Sequence, residues 1–177
     1  MRKRRLVVDE ARLVEAESRA WSVYQSNAEW IARADAKASI LLALQGVLLG
    51  VVVALTEEDR PLSAIHTWYQ WATVLIGVAL LATGAIVSVM AVAPRLRSRA
   101  KASVDASDYL FFGNAQMLDP ALLEEALQQS PLPMLSRQIA ISARISSVKH
   151  RLVHLSAWLL LAGGLSVGIS VLLSNLT

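Results

Sequence analysis

Charged and apolar positions separate into long alternating blocks along this chain. Three blocks contain no Asp, Glu, Lys or Arg, namely residues 38–56, 68–93 and 155–173. At about 1.5 Å per residue, a helix of each length covers the roughly 30 Å hydrocarbon core of a bilayer. Buried helices of a soluble domain are the alternative, but three such blocks are too many for a chain of 177 residues. The pattern therefore predicts an all-α membrane protein with three transmembrane helices.

The block boundaries divide the chain into six predicted segments. In order, these are a cytoplasmic N-terminal helix (1–37), transmembrane helix 1 (38–56), a short outer loop (57–67), transmembrane helix 2 (68–94), a cytoplasmic helical segment (95–154), and transmembrane helix 3 with a short outer tail (155–177). No Gly or Pro interrupts the chain from Asp9 to Lys37, or from Met134 into the third block. The first and third transmembrane helices are therefore predicted to extend into the cytoplasm.

Basic residues determine the predicted orientation. Eight Lys and Arg precede the first block and eight lie between the second and third, whereas the loop between the first two has three acidic residues and only Arg60. Cytoplasmic flanks of membrane proteins are enriched in basic residues. We therefore predict an inner-membrane protein with a cytoplasmic N-terminus and an outer C-terminus. The net charge of +3 then reflects these flanks and gives no indication of nucleic acid binding.

Few polar groups interrupt the three blocks. Because none is charged, a pump or a coupled transporter is disfavoured. Gln45 is expected to hydrogen-bond to a neighbouring helix or, alternatively, to line a path. Two GxxxG spacings, Gly46–Gly50 and Gly164–Gly168, predict close helix packing. Three helices are too few to enclose a pore, so a pore would need several copies of the chain.

Turn signals organise the second polar segment. Asp119 is predicted as the N-cap of a short helix with Pro120 at its first position. Pro131 and Pro133 are predicted to break the chain before a last helix that begins near Met134.

A ring of mostly basic residues is predicted at the inner membrane surface. It could bind an anionic ligand such as a nucleotide phosphate, or it could simply anchor the protein, with Asp35 paired to Lys149 or Arg151. The ring comprises Asp35, Lys37, Arg95, Arg97, Lys149 and Arg151.

Aromatic residues in the polar segments have two possible roles. They could stack on a nucleotide base, or they could fill the core between the helical extensions. These residues are Tyr24, Trp30, Tyr109, Phe111 and Phe112.

Catalytic and metal-binding patterns are missing from the sequence. It has no cysteine, no glycine-rich phosphate loop and no HExxH motif. His150 and His154 are one helical turn apart, but a metal site of two histidines without a nearby carboxylate is a weak pattern. We expect neither an enzyme nor a resident cofactor or metal.

Residues 27–39, with the sequence NAEWIARADAKAS, resemble the membrane effectors of the pyrimidine-cyclase antiphage system (Pycsar). The shared features are a tryptophan followed by an apolar residue, an aspartate and a lysine two positions apart, and small residues that open the first span. Here they are Trp30, Asp35, Lys37 and Ser39. The order of the later parts, including Phe111-Phe112-Gly113 and Gln138-Ile139, is also similar.

The resemblance implies a mechanism. A partner cyclase makes cyclic UMP or cyclic CMP during infection, and the effector senses it and impairs the inner membrane, so that infection is abortive. A ligand of this kind needs cations, a stacking ring and amide groups. The residues expected to supply them are Arg33, Lys37, Phe111, Phe112, Asn114, Gln138 and Lys149, and Asp35 is expected at the same site. The ligand is expected to bridge the two helical extensions or neighbouring copies of a homo-oligomer.

Two other functions are compatible with the same pattern. A membrane scaffold would bind a fixed protein partner and no small ligand. A transporter accessory subunit or a holin-like pore former is the other possibility, and a pore former would be toxic without any signal.

Overall fold

Four α-helices form the part of the chain that the computed structural model describes, which comprises residues 2–58, 60–63, 67–93, 116 and 118–174. No strand occurs in these ranges. Three of the four helices are long and apolar enough to cross a membrane. The prediction of an all-α membrane protein with three transmembrane helices is therefore confirmed. The helices are α1 (Arg2–Ala54), α2 (Trp68–Val92), α3 (Pro120–Leu127) and α4 (Leu132–Ser174).

Helix boundaries follow local chemistry. Helix α3 begins as predicted, because an Asp119 carboxylate oxygen accepts a hydrogen bond of 2.9 Å from the Ala121 amide and Pro120 takes the first position. Helix α4 begins at Leu132, so the prediction that Pro133 breaks the chain is wrong. Proline is tolerated there because an amide in the first turn of a helix has no intrahelical acceptor.

The chain forms two compact units, each built from segments that are distant in sequence. The first, called here the polar unit, consists of residues 1–31 and 95–146. Within it, the Asn27 amide donates hydrogen bonds to the Ile139 carbonyl at 3.3 Å and to the Ser142 hydroxyl at 3.2 Å. These bonds hold the N-terminal half of α1 against the first part of α4.

The second unit, called here the membrane unit, consists of residues 32–94 and 147–177. Its three helical segments bury residues at heptad-like spacing, which is the seam expected of helices packed at a shallow angle. On α2, the buried residues include Gln70, Val74, Gly77, Leu81, Gly84, Ser88 and Ala91. On α1 they include Ala38, Gln45 and Val52, and on α4 they include Lys149, Ser156, Gly163 and Ser170.

Close approach between α2 and α4 depends on two glycines. A Cβ atom on Gly77 would lie 2.7 Å from a methyl group of Val167, and one on Gly163 would lie 3.0 Å from the Gly77 carbonyl oxygen. Neither glycine belongs to the two GxxxG motifs.

The GxxxG motifs face away from this contact. Gly46, Gly50 and Gly168 have nothing within 4 Å of such an atom, and Gly164 has only a Leu48 methyl group at 3.8 Å. The prediction that these motifs make the close contacts is therefore wrong within the described chain.

Candidate functional site

A polar layer joins all three helices of the membrane unit. It consists of Gln45 from α1, Ser88 from α2 and Ser156 from α4, each fully buried. The Gln45 amide donates to the Ser156 hydroxyl at 2.9 Å, and the Ser88 hydroxyl lies 2.7 Å from that hydroxyl and 3.3 Å from the Gln45 amide oxygen. The predicted interhelical hydrogen bond of Gln45 is thus confirmed.

Backbone groups of two helices complete the polar layer. The Ser156 hydroxyl lies 3.1 Å from the carbonyl oxygen of Gly84, and the Ser156 carbonyl oxygen lies 3.4 Å from the Gln45 amide nitrogen. Gly84 leaves the space that the amide occupies, because a Cβ atom at this position would collide with the Gln45 nitrogen. Every polar group of the layer therefore has a partner inside the bundle, as a region without water requires.

A second polar cluster lies between α2 and α4. The Ser166 hydroxyl donates to the Thr73 carbonyl oxygen at 2.8 Å, and the Ser170 hydroxyl donates to the Thr73 hydroxyl at 2.7 Å. Hydrogen bonds between transmembrane helices contribute on average only about 0.6 kcal/mol each. The two clusters consequently align the helices but add little to the free energy that is needed to separate them.

A partly buried ion pair joins α1 and α4 beside the uncharged blocks. The Lys149 ammonium donates a short hydrogen bond to the Asp35 carboxylate. The Lys149 side chain is only 8% exposed, whereas that of Asp35 is 35% exposed. Of the two sequence-based interpretations of Asp35, the structure therefore supports the pairing with a nearby cation, and it identifies that cation as Lys149.

The remaining predicted ligand residues are spread over the chain. Arg33 and Lys37 are exposed in the membrane unit on α1, whereas Gln138 is half-buried in the polar unit on α4. The predicted positions Phe111, Phe112 and Asn114 lie outside the described residues. Among the predicted residues with described side chains, the structure brings Asp35 and Lys149 into direct contact.

A groove between α1 and α4 was not foreseen as a feature of the fold. It has a volume of about 320 Å³. Of its lining residues, only Lys37, His150 and His154 had stood out in the sequence, and no groove was predicted from them. Among the described residues, no group of three or more His, Cys, Asp or Glu side chains could hold a metal ion, so the histidines here belong to no such cluster. The groove is lined by Ala34, Lys37, Ile40, Leu41, His150, Val153, His154 and Ala157.

Comparison with known proteins identifies a family for this chain. A family model described as PycTM, Pycsar effector protein domain, matches residues 19–174. The matched range contains both polar clusters, the ion pair and the groove. No curated protein and no solved structure matches the chain. The family consists of effectors and is not a known enzyme class.

Proposed function

Because the chain belongs to the Pycsar effector family of antiphage defence, we propose that it is a membrane effector activated by a cyclic pyrimidine nucleotide. The nucleotide, cyclic UMP or cyclic CMP, would come from a partner cyclase, and activation would impair the inner membrane. In this proposal the polar segments 1–37 and 95–154 face the cytoplasm, where the nucleotide appears. The basic flanks of the spans support that orientation.

The polar layer of Gln45, Ser88 and Ser156 is the observation that carries the membrane-impairing part of the proposal. In the packed bundle these side chains satisfy one another. If the helices separate, each group needs another partner, and in a bilayer the available partner is water. Separation would thus place polar side chains of three helices on exposed faces and draw water into the membrane. Several copies would have to join to enclose such a path, so the active form is proposed to be a homo-oligomer.

The Asp35–Lys149 pair supports a way for the ligand to trigger separation. In the packed state the Lys149 ammonium is buried and engaged by Asp35. A nucleotide phosphate could compete for this ammonium only after α1 and α4 move apart. The ligand would then bind the separated state more tightly than the packed state, which is the requirement for any ligand to shift such an equilibrium.

Other candidate residues would complete the nucleotide site. Arg33 and Lys37 would supply further cations for the phosphate, and Gln138 would supply an amide for the base edge. Phe111 or Phe112 would stack on the base, and Asn114 would contribute a second amide. These residues are proposed on their chemistry and on the family resemblance.

The test is a titration of the full chain, purified in detergent, with cyclic UMP, cyclic CMP, cyclic AMP and cyclic GMP. Calorimetry should detect binding of one pyrimidine nucleotide and no binding of cyclic AMP or cyclic GMP. The same nucleotide should release a dye from proteoliposomes that contain the protein. Lys149→Met should abolish both responses, whereas Arg144→Gln, an exposed cation on the same helix, should leave both unchanged.

Three results would contradict the proposal. Folded protein that binds none of the four nucleotides would favour a membrane scaffold. Dye release without any nucleotide, or toxicity without the cyclase, would favour a holin-like pore former. Unchanged nucleotide binding by Lys149→Met would show that the Asp35–Lys149 pair has no part in activation by the nucleotide.

A further inference from the structure

The groove between α1 and α4 combines apolar walls with a cationic end. Ile40, Leu41 and Val153 form apolar wall, while Lys37 lies at the polar end. The Lys37 ammonium forms no ion pair or hydrogen bond with any residue that the structure describes. The lining holds no acidic residue, and the nearby Asp35 carboxylate is already engaged by Lys149. The groove therefore has the electrostatic character of a site for an anion.

The position of the groove along the helices limits the kind of anion. On α1, Lys37 is the last charged residue before the uncharged block 38–56. On α4, Arg151 is the last charged residue before the uncharged block 155–173. The cationic end of the groove is consequently level with the boundary between headgroups and hydrocarbon, and its apolar walls extend toward the hydrocarbon side.

We propose that this groove binds one anionic phospholipid of the surrounding bilayer. The phosphodiester would lie against Lys37 and accept a hydrogen bond from His154. One acyl chain would follow the wall formed by Ile40 and Val153. This site shares Lys37 with the proposed nucleotide site but differs from it in chemistry, because it needs an acyl chain as well as a phosphate.

Two features favour a lipid over a soluble phosphate compound. Most of the lining is aliphatic, so it offers a nucleoside or a sugar few hydrogen-bond partners. An anionic headgroup is favoured over a zwitterionic one, since a choline or ethanolamine group would find no carboxylate in the lining. Basic pockets between transmembrane helices at the membrane surface bind anionic headgroups in this way.

Native mass spectrometry of the delipidated full chain provides the test, with phosphatidylglycerol and phosphatidylcholine of identical acyl chains as probes. The wild type should retain one phosphatidylglycerol per protomer in preference to phosphatidylcholine. Lys37→Gln should lower phosphatidylglycerol affinity about fivefold, as expected for one lysine near an anionic lipid surface. Ala157→Phe, which fills the groove and keeps Lys37, should lower retention of phosphatidylglycerol as well. Arg144→Gln should bind lipid as the wild type does.

Several outcomes would overturn the proposal. They are equal retention of both lipids, undiminished phosphatidylglycerol binding by Lys37→Gln, or an equal loss in Arg144→Gln. Competition by glycerol phosphate as effective as that by phosphatidylglycerol would show that the site recognises a free phosphate. If Lys37→Gln weakens only cyclic nucleotide binding, Lys37 belongs to the nucleotide site and the lipid proposal fails. Because Lys37 is exposed, its substitution should leave the protein folded even if Ala157→Phe does not.

Discussion

Replacing Gly163 by alanine should destabilise the membrane unit. The new Cβ atom would lie 2.8 Å from Cγ of Leu81 and 3.0 Å from the carbonyl oxygen of Gly77. Real Cβ atoms essentially never approach a heavy atom of a packed neighbour to less than 3.0 Å. Leu81 is fully buried, and the carbonyl oxygen is part of the α2 backbone, so neither neighbour can move aside easily. Helices α2 and α4 would therefore have to separate slightly along their closest contact.

The magnitude follows from two opposing contributions. Inserting a methyl group into a packed contact of this kind costs about 1–3 kcal/mol. Alanine also favours the helix over glycine by up to about 1 kcal/mol. The free energy of unfolding should therefore be about 1–3 kcal/mol lower than for a glycine-to-alanine change without a clash, which leaves a net loss of up to about 2 kcal/mol against the wild type.

Gly46→Ala is the matched control, because it makes the same chemical change in the same unit with nothing within 4 Å of the new atom. It should leave stability unchanged or raise it slightly. Unfolding of both variants in mild detergent by added SDS, followed by far-UV circular dichroism, measures the difference. The packing argument would be refuted if Gly163→Ala and Gly46→Ala unfolded at the same SDS fraction as the wild type.

Three further changes test other contacts. Asp35→Ala should lower thermal stability in detergent more than Lys149→Met does, because it leaves a nearly buried ammonium unpaired, whereas the partly exposed Asp35 carboxylate can be hydrated. Gln45→Leu should keep nucleotide binding but reduce ligand-dependent dye release from proteoliposomes, because it removes a polar group from the layer. Asn27→Ala should speed proteolysis of the polar unit, since two hydrogen bonds between α1 and α4 are lost.

Matched substitutions distinguish these effects from general damage. Each control replaces an exposed residue. Glu10→Ala is the control for Asp35→Ala, Thr83→Val is the control for Gln45→Leu, and Ser26→Ala is the control for Asn27→Ala. If Lys149→Met proves more damaging than Asp35→Ala, the burial argument is wrong. Dye release unaffected by the Gln45 change would exclude the polar layer from membrane damage. Proteolysis rates equal in the Asn27 and Ser26 variants would contradict the role assigned to those hydrogen bonds.

Several features of this protein could be predicted from the one-dimensional pattern. The uncharged blocks indicated three transmembrane helices, because transfer into a bilayer depends on the composition of a segment and hardly on its neighbours. The N-cap at Asp119 was also predictable, since it needs only a short side chain and the amides of the next turn. The start of α4 was missed by two residues, because a proline that breaks a helix interior is harmless in a first turn.

Contacts between helices were decided only by the tertiary structure. The sequence offered both Lys149 and Arg151 as partners for Asp35, and the fold selected Lys149. The sequence offered four glycines in GxxxG spacing, and the fold instead placed Gly77 and Gly163 at a close contact between α2 and α4.

The physical reason is the uniform composition of the membrane helices. A helix that is apolar on all sides has no polar face to reveal how it is rotated about its axis. That rotation determines which glycine meets a neighbouring helix and which cation reaches a carboxylate. It also determines that Lys37 lies at a groove while Lys149 is buried. The sequence by itself therefore determined that three helices enter the membrane, and the packed bundle decided which side chains face one another there.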